Sequence, residues 1–276
     1  MNFGYNPIIV FVPFSVKQLF SLIRMSITSQ IFMNKFIAVV VLVLVVAISS
    51  SRASEPIEQI LGTNANARIG QAKSLIPAGN TLTGWTTLQG TLPPNEFWTV
   101  EDGTIRLAGR GGGDIITDRE YENFILDFQW TIRRGGNSGI KYRVKRHSPG
   151  GWLGPEYQIL DDFNNNAGKK PKDSTATLFD VMPTNDQKVL HPHDQINTGR
   201  IVVHGNQIQH WLNGKKVLEI IVGSDEWEKL IADSKFRDHK EFGKNPSGFV
   251  LLQEHGAATI FHQLIIREII LGDSDE

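Results

Sequence analysis

The sequence predicts an all-β protein, an antiparallel sandwich or jelly roll of two sheets with one short helix. Three observations lead there. Between Trp98 and Ile269 apolar and polar residues alternate with a period of two, the spacing of half-buried strands. Tight-turn dipeptides separate the alternating runs. No βα rhythm of the kind a parallel sheet requires runs through this region.

The clearest strand is Phe124–Ile132, with Phe124, Leu126, Phe128, Trp130 and Ile132 on one face and Ile125, Asp127, Gln129 and Thr131 on the other. Similar runs follow at Gly139–Val144, Glu156–Leu160, Arg200–His204, Gln207–Leu212, Lys216–Ile221, Phe249–Glu254 and Thr259–Glu268. Gly205-Asn206 and Asn213-Gly214 lie between successive runs, where positive φ suits a tight hairpin. An up-down-up meander over Arg200–Ile221 is therefore expected. The single helical pattern is Asp225–Ser234, where Ser224 can cap the first turn and Trp227, Leu230 and Ile231 share a side.

The N-terminal region has a different character. After Met33-Asn34-Lys35 comes the apolar run Phe36–Ile48 and then the small residues of SSSRAS. A basic start, a short apolar stretch and a small-residue cleavage site make a signal peptide over residues 33–53, cut after Ala53. The run is shorter than the roughly 20 residues of a membrane span. Residues 1–32 read as an upstream extension, 54–74 as a flexible leader, 75–271 as the folded domain and 272–276 as an acidic tail. The expected location is secreted or periplasmic, with no stable membrane span after signal cleavage.

Four of the 28 basic residues and none of the 29 acidic ones precede Ser54, so the remainder is mildly acidic. Such a body lacks the clustered Lys and Arg that phosphates demand, and nucleic acid is not an expected partner. The absence of cysteine excludes disulfides, thiolate metal sites and a cysteine nucleophile.

Several motifs are weaker than they look. GRGGGD (Gly109–Asp114) lacks the Lys-Ser/Thr ending of a phosphate loop and reads as a turn. Ser138 is no nucleophile elbow, because Ile140 occupies the position of the second glycine. His191 and His193 have a spacing that metal ligands can use, but they lie in a polar, Pro-containing loop. In EYQIL, Glu156 and Gln158 alternate with Tyr157 and Ile159. If the latter face the core, the former make either a polar platform for a hydroxyl-rich ligand or an ordinary solvent face. His210 shares an apolar face with Ile208 and Leu212, as a hydrogen-bonded core histidine does, while His255 ends a strand where chemistry is often placed.

The strings NTLTGW, FWTVEDGTI, ITDREYENFILDFQW, GGNSGIKYR, EYQILDD, IVVHGNQIQHWLNGKKV, GFVLLQEHG and FHQLIIREI, in this order from about Leu75 to Ile270, resemble the 3-keto-disaccharide hydrolase domain, formerly DUF1080. The resemblance implies a concanavalin A-like β-sandwich (jelly roll), export, and carbohydrate as the substrate. Two departures bear on specificity. NTLTGW replaces the more usual NGKDLxGW, and INTG before Arg200 stands in place of a Trp-Asn pair.

The implied reaction is cleavage of 3-keto-glycosides through removal of the C2 proton and an enolate. It needs a base, an acid and a holder for the enolate oxygen. His255 or His210 is the expected base, with Glu156 orienting it or protonating the leaving group. Lys141 and Arg143 are candidates for the enolate, since they alternate with Ile140 and Tyr142. Asn137, Gln158 and Gln253 are expected to bond sugar hydroxyls, and Trp152 to stack on a sugar face. A divalent cation held by histidines and Asp161 could replace the basic residues, but no metal site is fixed by the sequence. The competing reading is a carbohydrate-binding module without catalysis. A conventional glycosidase would need a second carboxylate beside Glu156, for which Asp161 is a poor candidate.

Overall fold

The computed structural model describes residues 67–147 and 151–271. The expected upstream extension, signal peptide, first part of the leader and acidic tail lie outside the described residues. Along the chain the strands are β1 (Ala67–Ile69), β2 (Lys73–Ser74), β3 (Trp85–Thr87), β4 (Trp98–Glu101), β5 (Thr104–Leu107), β6 (Ile115–Thr117), β7 (Phe124–Ile132) and β8 (Asn137–His147). They continue with β9 (Gly151–Leu153), β10 (Glu156–Leu160), β11 (Asn197–His204), β12 (Gln207–Leu212) and β13 (Lys215–Ile221). Helix α1 (Asp225–Ala232), β14 (Phe249–Leu252) and β15 (Thr259–Leu271) complete the described fold.

The strands form two antiparallel sheets, the expected sandwich. The larger runs β13-β12-β11-β7-β15-β5-β4, with β1 and β2 also on β15. The smaller runs β10-β8-β14-β6-β3, with β9 on β8. Strand β7 shows why. Its residues Phe124, Leu126, Phe128, Trp130 and Ile132 are sealed between the sheets, while Asp127, Gln129 and Thr131 are only half-buried. Ile125 joins Val202, Trp211 and Ile269 in a small apolar cluster on the other side. The meander is present, and both Asn213 and Gly214 adopt positive φ, as its second hairpin needs. Ser224 caps α1 by accepting from the Trp227 amide, and Trp227 and Ile231 bury the helix against the core.

Two boundaries differ from expectation. The end of the leader is paired, since Ala67–Ile69 and Lys73–Ser74 hydrogen-bond along β15. Runs of three and two residues are too short to show a period, and the long partner supplies the order. β14 stops at Leu252 because the Glu254 amide turns to donate to Asp114 Oδ1 at 2.9 Å.

Candidate active site

Glu156 and Lys141 are cross-strand partners in the smaller sheet, with Gln158 opposite Gly139 and Leu160 opposite Asn137. On the far side of β8, Leu251 lies opposite Lys141, and Ile116 lies opposite Leu251. Tyr157, Ile140 and Tyr142 point into the main core, so alternation sends Glu156, Lys141, Gly139 and Gln158 to the opposite face. Ile116, Val144 and Leu251 share that face with the partly buried Leu88, Trp152 and Phe249. A charged patch thus borders an apolar one, with Trp152 edge-on to Phe249 at 6.0 Å.

The platform is not open to solvent as an ordinary surface would be. Glu156 is 5% exposed and Gln158 1%. The cause is the segment Ala176–Phe179, which pairs along β10. Ala176 N donates to Gln158 O (2.9 Å), Gln158 N to Thr177 O (3.4 Å) and Phe179 N to Glu156 O (3.1 Å). Lys141 Nζ approaches Glu156 Oε2 at 3.8 Å. Gly139 leaves room for the carboxyl, since a Cβ there would fall 2.6 Å from Glu156 Oε1. The buried amide oxygens of Asn137 and Gln158 have no hydrogen-bond partner among the described residues. Such acceptors call for a donor, and sugar hydroxyls supply one.

Burial drives the Glu156 carboxyl up to about 7, against the pull of Lys141 and Lys235 and with the help of Asp114. Asp114 is raised too, chiefly by burial, with the Glu254 amide, Lys141 and His255 opposing. Two carboxyls, two ammoniums and the exposed imidazole of His255 therefore share one field. Asp114 and Lys235 were not foreseen. Asp114 is the last residue of the glycine string, whose reading as a turn is correct, with positive φ at Gly109, Gly111 and Gly113. The start of an apolar strand at Ile115 was the one signal that Asp114 would be placed on a sheet.

A family model described as the 3-keto-alpha-glucoside-1,2-lyase-like domain matches residues 71–267. The chain belongs to this family. A 3-keto-disaccharide hydrolase of Bacteroides thetaiotaomicron is 31% identical over 221 residues, 68% of this chain and 76% of that one. A crystal structure of a protein assigned as a glycosyl hydrolase from Parabacteroides distasonis is similar with a TM-score of 0.64 at 28% identity, covering 71% of this chain and 93% of the other. A second such structure from the same organism gives 0.57 at 25% identity, covering 72% and 100%.

In this lyase-like domain three of the expected site residues are placed elsewhere. His210 is fully buried between the sheets, so it cannot meet a substrate. Its Nδ1 lies 3.0 Å from Ala176 O and its Nε2 2.8 Å from the Tyr142 hydroxyl. A carbonyl only accepts, so Nδ1 carries the proton and Nε2 accepts from Tyr142. Burial pushes this imidazole down to about 4. Arg143 leaves the Lys141 face because its φ is +46°. The backbone bulges where β14 shifts register against β8, and the guanidinium donates to the carbonyls of Glu122 and Gly205. Asp161 accepts from Gly135 N (2.7 Å), Asn164 Nδ2 (2.8 Å) and Phe163 N (3.3 Å), which organises two loops. Burial alone would raise its carboxyl, but these bonds and His193 hold it low.

The remaining expectations converge better. Asn137, Lys141, Trp152, Glu156, Gln158 and Gln253 lie on or beside the outward face of the smaller sheet, and His255 lies in the loop after β14. Gln253 N donates to Gly139 O, which fixes that loop to the strand carrying Lys141. Among the described residues no three His, Asp or Glu side chains stand together as metal ligands. Asp161 in particular has its oxygens engaged, and His191 Nδ1 faces Ile196 O at 2.8 Å. The donors named for a cation therefore do not fit one.

Proposed function

We propose that this glycoside hydrolase-like enzyme cleaves the glycosidic bonds of 3-keto-glycosides by elimination across C1 and C2 followed by addition of water. The observation that carries the reading is the buried Glu156 carboxyl beside Lys141, with a pKa of about 7. A general base works best with a pKa near the operating pH. With His210 sealed away, the base role passes to Glu156.

The ketone at C3 acidifies the C2 hydrogen. Ionised Glu156 takes that proton, and the electron pair moves to the C3 oxygen as an enolate. Collapse of the enolate re-forms the ketone, makes the C1–C2 double bond and expels the C1 substituent, which takes a proton from His255 or Asp114. Water then adds its hydroxyl to C1, and Glu156 returns a proton to C2. The sum is hydrolysis, with no net oxidation. Asn137, Gln158 and Gln253 hold hydroxyls, and the apolar floor with Trp152 takes the face of a sugar ring.

The supporting names are those of the family, a 1,2-lyase, and of the Bacteroides relative, a 3-keto-disaccharide hydrolase. Export is part of the proposal and is supported by the basic, apolar and small-residue pattern over 33–53. Among the described residues no helix is long and apolar enough to cross a membrane.

Purified protein should release aglycone from a synthetic 3-keto-glucoside and not from its unoxidised parent. The C2 position should also wash out in deuterated water. No release, with or without added divalent metal, sinks the enzymatic reading, and saturable glycan binding without cleavage would make the domain a binding module. Gly139→Ala should lower kcat/KM about 100-fold, because the new methyl displaces the carboxyl and misplacement by ~1 Å costs about that much. Unchanged turnover in that variant would show that Glu156 is not positioned for the chemistry.

A further inference from the structure

Lys235 lies just beyond α1, in the stretch that leads to β14. Its place is fixed from three sides. Lys172 Nζ donates to Asp233 Oδ2 at 2.8 Å, the Lys235 amide donates to Asp180 Oδ2 at 2.6 Å, and the Lys235 ammonium lies 3.9 Å from the centre of the Phe179 ring and 5.0 Å from that of Phe236. Phe179 is itself bonded through its amide to the carbonyl of Glu156. The ammonium is thus carried on a ring whose backbone is anchored to the proposed base.

The two ammoniums of the site differ in what they are free to do. Lys141 is paired with Glu156. Lys235 Nζ has no hydrogen bond or ion pair among the described residues; aromatic faces hold it instead. A cation held by ring quadrupoles keeps its N–H donors available for a ligand. The charged groups that act on it are Glu156, Asp180, Lys141 and Asp173, so it faces the charged patch rather than bulk solvent alone. When Glu156 accepts a proton its negative charge disappears, and the field of both ammoniums is then left to whatever oxygen receives the electron pair.

We propose that Lys235 is a catalytic residue of this site, whose ammonium, presented on the Phe179 and Phe236 rings, holds the oxyanion that forms beside Glu156. That the oxyanion is the C3 enolate rests on the keto-glycoside reading; that Lys235 binds an oxyanion at this position does not. The assignment replaces Arg143, whose guanidinium is spent on backbone carbonyls.

Two measurements separate the claims. The first is calorimetric binding of squarate, a planar dianion with enolate-like oxygens, at low salt and neutral pH. Wild type should bind it, K235Q should bind at least about 10-fold more weakly, and K235R should stay within about 3-fold because the charge and the ring contact persist. The second is turnover of the 3-keto-glucoside. K235Q should lose roughly 100- to 1,000-fold in kcat, the size of a lost oxyanion donor, with KM changed little. Lys235 is exposed, so K235Q should melt with the wild type. Squarate binding that is absent in wild type, or equal in K235Q, overturns the proposal, as does full turnover by K235Q. Lys235-dependent squarate binding by a protein that never turns over the keto sugar would uphold Lys235 and sink the proposed reaction.

Discussion

Glu156→Gln should abolish most of the activity while making the protein more stable at alkaline pH. An amide cannot take the C2 proton, and positioned proton transfer is worth roughly 10²- to 10⁴-fold, so kcat/KM should fall by that amount. In wild type, kcat/KM should rise through a limb near pH 7 as the carboxyl ionises. The stability effect follows from the same burial. The folded-state pKa is raised to about 7 from 4.5, so the folded chain keeps a proton that the unfolded chain has lost. Full stability is therefore present below about 4.5 and declines as pH rises through 7. The loss reaches about 3 kcal/mol at pH 8, somewhat less where Lys141 offsets it. Gln has no such penalty. Thermal melts should show the variant several degrees above wild type at pH 8 and level with it at pH 4. A variant less stable than wild type at pH 8 would mean that the carboxylate is well satisfied by Lys141 and is not a poised base.

His210→Phe should be costly at pH 8 and less so in acid. The ring fills the site between Tyr142 and Tyr157, which lie 5.8 and 4.8 Å away, but the Tyr142 hydroxyl and the Ala176 carbonyl lose their partner. Each buried orphan costs about 1–3 kcal/mol, so roughly 2–6 kcal/mol should be lost at pH 8. The imidazole is depressed from 6.5 to about 4, and its contribution is present above 6.5 and lost as pH falls toward 4, because the unfolded chain takes the proton first. Phenylalanine has no such loss, and the gap to wild type should narrow by about 2 kcal/mol between pH 8 and 5. Chemical denaturation at the two pH values measures it; a constant gap would place the imidazole near its ordinary pKa. The two buried groups act with opposite sign between pH 4.5 and 6.5, so wild type should be nearly flat there. Glu156→Gln should reveal the rising slope of His210, and His210→Phe the falling slope of Glu156.

Alternation made much of this legible in advance. Strands β7, β10 and β12 coincide with the runs read from the sequence, and the cap at Ser224 is where the helix pattern required it. The same alternation located Lys141 opposite Glu156, then failed two residues later. Arg143 has a left-handed backbone, and Gly248 lies so close to it that a Cβ there would be 2.3 Å from the Arg143 carbonyl carbon. A bulge of that kind resets which side chain faces where, and no periodicity announces it. His210 fitted its apolar face, and burial decided between core and catalyst. Asp114 and Lys235 were illegible for another reason. Each reaches Glu156 across a long stretch of chain, through a turn and a helix exit whose local sequences carry no sign of their destination.

The pairing of Ala176–Phe179 with β10 also limits how this enzyme can change. Loops around a sandwich are ordinarily the parts that exchange most freely. Here one of them completes a sheet edge, and a graft across it made to admit a bulkier glycan would strip backbone partners from the strand that bears the base and leave an edge open to aggregation. New specificities should therefore arise on the opposite rim, around Leu88 and Trp152, where insertions leave that strand untouched.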